Sequence, residues 1–302
     1  MRKIYTIPVD FEGSRFDRWF KRKINKVPQS LLEKYLRKGK IKVNNKKIKS
    51  SQKLKKNDQV FLYNIFFSNN NTTNIKKTYK PSKKDIIFSS NIFIEDNPNF
   101  SVINKPAGIS VQSGTKSKRN ILDILKSTKE FKDTYPYPVH RIDKETTGIL
   151  IVAKNRKYAQ LFTSLFRIRK IHKSYLCVVF GRLDQNKGTF IDMLHHFEGK
   201  KKIMSKAITH FNVIDTNNSY SLLKLNPQTG RKHQLRKQLL IRGCPILGDE
   251  KYRLTPKKSS NNHLMLHAHK INFSIAGNKF NFSASLPLHF IKTLKEKYLK
   301  TF

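Results

Sequence analysis

From Lys21 to Lys56 the chain carries fifteen Lys or Arg against a single acid, Glu33, yet the same stretch is patterned to fold. Phe16, Trp19, Phe20 and Ile24 recur at helical spacing, and Leu31, Leu32, Tyr35 and Leu36 form a second stripe that should stop at Gly39. Ser14 with Asp17, and Ser30 with Glu33, have the spacing of capping boxes at the two helix starts. Short strands are expected at Ile41–Val43 and Lys46–Ile48, turned at Asn44-Asn45, and at Val60–Leu62 after a turn at Asn57-Asp58. Like charges this dense repel one another, so a compact unit over 13–62 is best explained by a polyanionic partner.

The whole chain agrees with that reading. Its 302 residues hold 62 Lys+Arg and 20 Asp+Glu, a formal charge of +42. Contacts with phosphates release condensed counterions, so a chain this basic is suited to nucleic acid. An AT-rich coding sequence also raises the lysine count, and charge alone says nothing about chemistry. The segment MRKIYTIPVDFEGSRF has no apolar core of signal-peptide length, and no run approaches the ~18 apolar residues of a membrane span. A cytoplasmic protein with no membrane partner is expected. Cys177 and Cys244 are too few for a zinc site, and a disulfide between them is left open.

Residues 69–84 are polar, contain Pro81, and read as a linker. From 86 to 302 the texture changes to short β-rich runs, such as Ile92–Ile94, Ile149–Val152, Tyr175–Val179, Ile208–Val213 and Tyr220–Leu225. An α+β domain around a mixed, largely antiparallel sheet is expected. Within it, PVHRIDKETTGILIVAKN (138–155) places Asp143 in a turn that should end at Gly148 and feed an apolar strand. Arg141 and Lys144 flank this acid, favour its ionised form and attract phosphate. An Asp in a turn is also a common structural residue, so position alone does not make it catalytic. Phosphate-cradling glycine motifs are missing, and the acids are too scattered for a two-metal centre. His263, His267 and His269 have metal-like spacing without a carboxylate in the same block, and His195-His196 reads as surface. No metal and no cofactor is implied.

The string around Asp143 resembles the active-site signature of the RluA/RluC/RluD class of RNA pseudouridine synthases, most of all its RluC branch. VINKPAGISVQSG (102–114), KSYLCVVFG (173–181), LNPQTGRKHQLRKQLLIRGCPILGDEKY (225–252) and LMLHAHKINF (264–273) resemble further blocks of that class, in the same order. SRFDRWFKRKINKVPQSLLEKYLRKGKIKVNNKKIK resembles the alpha-L RNA-binding module. The resemblance implies a pseudouridine synthase fold and cofactor-free isomerisation of uridine, with Asp143 as the catalytic carboxylate and Arg236 paired to it. It implies Tyr175 as a stacking platform or as the base for the C5 proton, with His140 and Leu266 in the pocket wall. Arg141 would brace the position the flipped uridine leaves, and Lys144 would meet phosphate. Lys21, Arg22, Lys23, Arg37, Lys38, Lys40 and Lys42 would present the module's charge to RNA. The implied substrate is 23S ribosomal RNA and the implied state a monomer. A synthase for tRNA, or an inactive RNA-binding assembly factor, stands as the alternative. One departure is Lys237-Gln238, where many relatives have Val-His; it is expected to set an extra charge beside the pocket arginine.

Overall fold

The computed structural model describes residues 2–25, 27–65, 79–82, 85, 89, 91–113, 119–198, 201–254 and 263–301. Of the expected linker only 79–82 fall within that description. The chain divides into two compact units, Met1–Lys76 and Lys77–Phe302.

In the first unit, strands β1 (Arg2–Thr6), β2 (Ile41–Val43) and β3 (Gln59–Tyr63) form an antiparallel sheet in the order β1-β3-β2. Helices α1 (Phe16–Lys23) and α2 (Gln29–Arg37) lend Phe16, Trp19, Phe20, Leu32 and Leu36 to its core, against Ile41 and Val60. The helical stripes therefore form as spaced. Neither expected capping box does. Arg15 occupies the position before α1, and its guanidinium takes the Asp17 carboxylate at 2.6 Å. Pro28 precedes α2, which leaves Ser30 inside the first turn, while Glu33 accepts from Gln29 at 3.1 Å. The strand expected at Lys46–Ile48 shrinks to one bridge between Lys46 and Val43. Asn44 and Asn45 both take positive φ (47° and 62°), the tight-turn geometry that asparagine tolerates. Strand β1 was not foreseen; its residues are mostly exposed, so it shows no apolar alternation.

The second unit is built on one large sheet. Its strands are β4 (Phe93–Asp96), β5 (Phe100–Lys105), β6 (Tyr137–Pro138), β7 (Thr147–Ala153), β8 (His172–Phe180), β9 (Lys187–Glu198), β10 (Lys201–Thr216), β11 (Tyr220–Pro227), β12 (Leu266–Ile275) and β13 (Asn278–Ser283). The main order is β4-β5-β7-β12-β8-β11-β10-β9, with β13 added to β12 and β6 to β7. Every pairing is antiparallel except β7 with β12, so the architecture is the expected α+β fold on a mixed sheet. Helices α3 (Ile121–Leu125), α4 (Arg156–Arg167), α5 (Gln234–Ile241) and α6 (Leu288–Glu296) complete it, with α4 packed on β7 and α5 on β9. Cys177 and Cys244 are both buried and free, with no disulfide.

Strand β7 is buried along its whole length, as a continuous apolar run in the middle of a covered sheet should be. Gly148 corrects the sequence reading: it does not end the turn but lies inside this strand, at φ +103°. A Cβ there would stand 2.3 Å from the Ala268 carbonyl oxygen. The missing side chain lets β7 and β12 approach where they pair in parallel, through His267 with Thr147 and Ala268 with Gly148. Thr147 Oγ1 and His267 Nδ1, 2.8 Å apart, tie the same strands. The chain just before β7 is thereby fixed at the mouth of a rigid sheet. Gly148→Ala should destabilise the protein by about 2–5 kcal/mol through backbone strain and overpacking, read as a lower midpoint in urea denaturation.

Candidate active site

Asp143 lies on the loop between β6 and β7, and this loop is held from beneath. Lys105, the last residue of β5, is fully buried and donates to three carbonyls: Pro106 at 2.7 Å, Ile109 at 2.9 Å and Lys144 at 3.0 Å. The Gly108 N–H joins it on the Lys144 oxygen, and Thr146 N–H closes a turn on the Asp143 carbonyl. Burial pulls the Lys105 ammonium down to about 7, opposed by the charges of Glu145 and Asp143. His140 anchors the other end of the loop. Its Nε2 accepts from Ile151 N–H at 2.8 Å and its ring stacks on Phe166 at 4.6 Å. Burial lowers its pKa to about 3, so it is neutral with the proton on Nδ1.

Arg236 comes from α5 and is nearly buried. Its Nε and Nη2 donate to the two oxygens of Asp249, each at 2.7 Å, and only Nη1 reaches Asp143 Oδ2, at 3.3 Å. The sequence reading gave this arginine to Asp143 alone; the structure gives it two carboxylates and makes Asp249 the closer one. Asp249 is set in turn by the N–H groups of Lys251 and Tyr252, both at 2.9 Å. The guanidinium also lies over the Tyr252 ring, 5.0 Å from its centroid. On the other side of Asp143, His233 Nε2 is 3.6 Å from Oδ1. Tyr175, from β8, has its phenol pushed up first by burial and then by the Asp143 charge, so it stays neutral near pH 7.

Asp143, Tyr175, His233 and Arg236 line one cavity of about 730 Å³, together with His140, Arg141, Lys173 and Leu266. That volume falls within the usual range for small-ligand sites, and a nucleoside fits in it. Arg141 is exposed in the cavity wall. Lys144 is exposed beside Glu145, 3.7 Å away, and does not line the cavity. Lys237 corrects another expectation. Its ammonium turns away from the cavity and donates to the His195 carbonyl on β9 at 2.8 Å. Its neighbour Gln238 is fully buried and binds Thr209 and Asp192, so the Lys237-Gln238 pair ties α5 to the β9–β10 hairpin. His267 and His269 are engaged with Thr147 and Ala284 inside the sheet, and among the described residues no cluster could hold a metal. Lys21, Arg22 and Lys23 lie in the last turn of α1, Arg37 and Lys38 at the end of α2, and Lys40 and Lys42 at and on β2. All seven are exposed or half-buried and belong to the first unit.

Lys105, Asp249 and His233 escaped the sequence reading as site residues. Each sits in a block that the sequence singled out, and the usable signal was a polar group closing an apolar run, as in FSVINKP and PILGDE.

Residues 99–240 match the family model described as RNA pseudouridylate synthase. The chain belongs to this family and is an RNA pseudouridine synthase. It is 31% identical to a ribosomal large subunit pseudouridine synthase C of Rickettsia conorii, over 93% of this chain and 97% of that one. It is 33% identical to the protein of that name from Buchnera aphidicola subsp. Baizongia pistaciae, over 93% and 92%. Among solved structures, human RNA pseudouridylate synthase domain containing 4 superposes with a TM-score of 0.62 at 27% identity, covering 72% of this chain and 98% of that one.

Lys105→Met should remove the support beneath the loop and cost about 1–3 kcal/mol, because the freed Ile109 carbonyl stays buried. The unfolded lysine titrates near ~10.4 and the folded one near 7, so the unfolded state binds more protons between those values. Wild-type stability relative to Lys105→Met should accordingly rise from pH 7 towards pH 10, measured by urea unfolding at each pH.

Proposed function

We propose that this synthase isomerises specific uridines of 23S large-subunit ribosomal RNA and that Asp143 is the carboxylate that acts on the everted nucleotide. The observation that carries the reading is the setting of Asp143: a half-buried carboxylate with a cationic donor at one oxygen, in the wall of a nucleoside-sized cavity. The reaction breaks a C–N bond between ribose and base and makes a C–C bond from C5, so the base must turn without leaving. A cavity of nucleoside size with one fixed carboxylate in its wall suits that demand, whether the acid attacks carbon or removes a sugar proton.

Tyr175 serves as the platform on which the uracil stacks, worth ~1–3 kcal/mol by the scale of base–aromatic contacts. Its neutral phenol is a poor base near pH 7, which leaves Asp143 as the better acceptor for the C5 proton. Uridine has to leave its stack at a cost of a few kcal/mol, and exposed Arg141 braces the vacated position. Lys144 and the seven cations of the first unit bind phosphates, supplying affinity that reads RNA shape more than sequence. The relatives' names support the ribosomal substrate. No helix of the described residues is long and apolar enough to cross a membrane. The enzyme works in the cytoplasm as a monomer, and its chemistry draws on no cofactor.

Asp143→Asn keeps the shape and removes the charge. It should bind transcribed large-subunit RNA as wild type does and form no pseudouridine, mapped by carbodiimide modification and primer extension. A wild-type enzyme that leaves this RNA unmodified, while modifying tRNA, would overturn the substrate. Equal product from Asp143→Asn would overturn the role of the acid.

A further inference from the structure

His233 adjoins Asp143, Tyr252 adjoins His233 and Arg236, and neither has a task in the mechanism above. His233 stands directly before α5 in the left-handed region, at φ 53° and ψ 34°, and its side chain makes no capping bond to the helix. L residues take that conformation rarely, asparagine, aspartate and histidine more often than most, and glycine takes it freely. Plain helix capping would be served as well by asparagine or glycine. What singles out the ring is its position between the Tyr252 hydroxyl and Asp143.

The ring lies edge-on to Tyr252, with centroids 5.5 Å apart and planes at 82°. Its Nδ1 is 2.9 Å from the Tyr252 hydroxyl. Its Nε2 is 3.6 Å from Asp143 Oδ1, while Arg236 Nη1 takes the other oxygen. Burial holds the imidazole below its usual pKa, helped by Arg236, Lys251 and Lys232 and opposed by Asp143. The neutral ring has one proton to place. A carboxylate can only accept, so the nitrogen facing Asp143 is the one that carries it, and Nδ1 then accepts from Tyr252. Burial keeps that phenol protonated and able to donate.

We propose that Tyr252 and His233 form a positioning pair: the tyrosine hydroxyl fixes the tautomer with the proton on Nε2, and that N–H holds Asp143 Oδ1 while Arg236 holds Oδ2. A separation of 3.6 Å is too long for a hydrogen bond, and the contact closes when the nucleotide enters, as such bonds do on forming the reactive complex. The carboxylate is then gripped from both sides, with its remaining lone pairs towards the base. This inference rests on the reading of Asp143 as the acting carboxylate.

The test uses the full-length enzyme, with His233→Gly, His233→Asn and Tyr252→Phe beside wild type. Imidazole ¹⁵N NMR of the free enzyme should show His233 protonated at Nε2, and Tyr252→Phe should weaken that preference. Tritium release from large-subunit transcript labelled at uridine C5 should give kcat about 10- to 100-fold lower for His233→Gly and His233→Asn, the size of one hydrogen bond to a charge. Their KM should stay within about twofold, since binding is spread over many phosphate contacts. Their melting temperatures should equal or exceed the wild-type value, because both residues accept the left-handed backbone. A wild-type proton on Nδ1, an unchanged kcat, or unfolding of both His233 variants would overturn the pair. Absence of release by wild type would count against the ribosomal substrate alone, and the NMR arm would still decide the tautomer.

Discussion

The buried fork between Arg236 and Asp249 is the interaction on which the site depends. Two N–H groups of the guanidinium meet two oxygens of one carboxylate, a planar match that fixes direction as well as charge. Asp249 is itself immobilised by two backbone N–H groups, so the arginine cannot swing. Its remaining nitrogen is left aimed at Asp143. An arginine buried with Asp143 as sole partner would grip that acid more tightly and be less fixed. Sharing it with a second carboxylate gives a donor that orients Asp143 without saturating it.

The fold brings these groups together from remote parts of the chain. The order β5-β7-β12-β8 sets the end of β5 under the Asp143 loop and sets β8, with Tyr175, beyond β12. Close parallel pairing at Gly148 makes the arrangement possible, since any side chain there would force β7 from β12. Lys105 then fastens the loop by three carbonyls, and α5 delivers Arg236 while Gln238 anchors that helix to Thr209 and Asp192. The positions of acid, phenol and guanidinium are consequences of sheet pairing and of polar anchors beneath it.

Much of this was legible in the sequence, and the reasons are physical. The helical stripes at Phe16–Phe20 and Leu32–Leu36 and the apolar run of β7 are periodic patterns, which local sequence expresses directly. Asp143, Tyr175 and Arg236 stood out because three family-like blocks carried them, and the structure lines one cavity with all three. Hidden features were those decided by partners distant in sequence. Asp249 gains its role only when α5 lies beside it, and Lys105 only when the 139–146 loop folds over it. Gly148 resembled a turn residue because its close neighbour, Ala268, lies on another strand. The first capping box failed because Arg15 competes for Asp17, the second because α2 starts after Pro28 and takes Ser30 into its first turn, and the extra charge at Lys237 found a carbonyl on β9.

The most direct measurement is single-turnover pseudouridine formation by Asp249→Asn at 25 °C, with folding verified by circular dichroism. Asp143, Tyr175 and Arg236 all remain, and only the second grip on the guanidinium is lost. A rate about 100-fold below wild type, with RNA affinity unchanged, is expected if small misplacement of the arginine disorders the acid. A folded Asp249→Asn enzyme turning over at the wild-type rate would contradict the fork as the basis of the site.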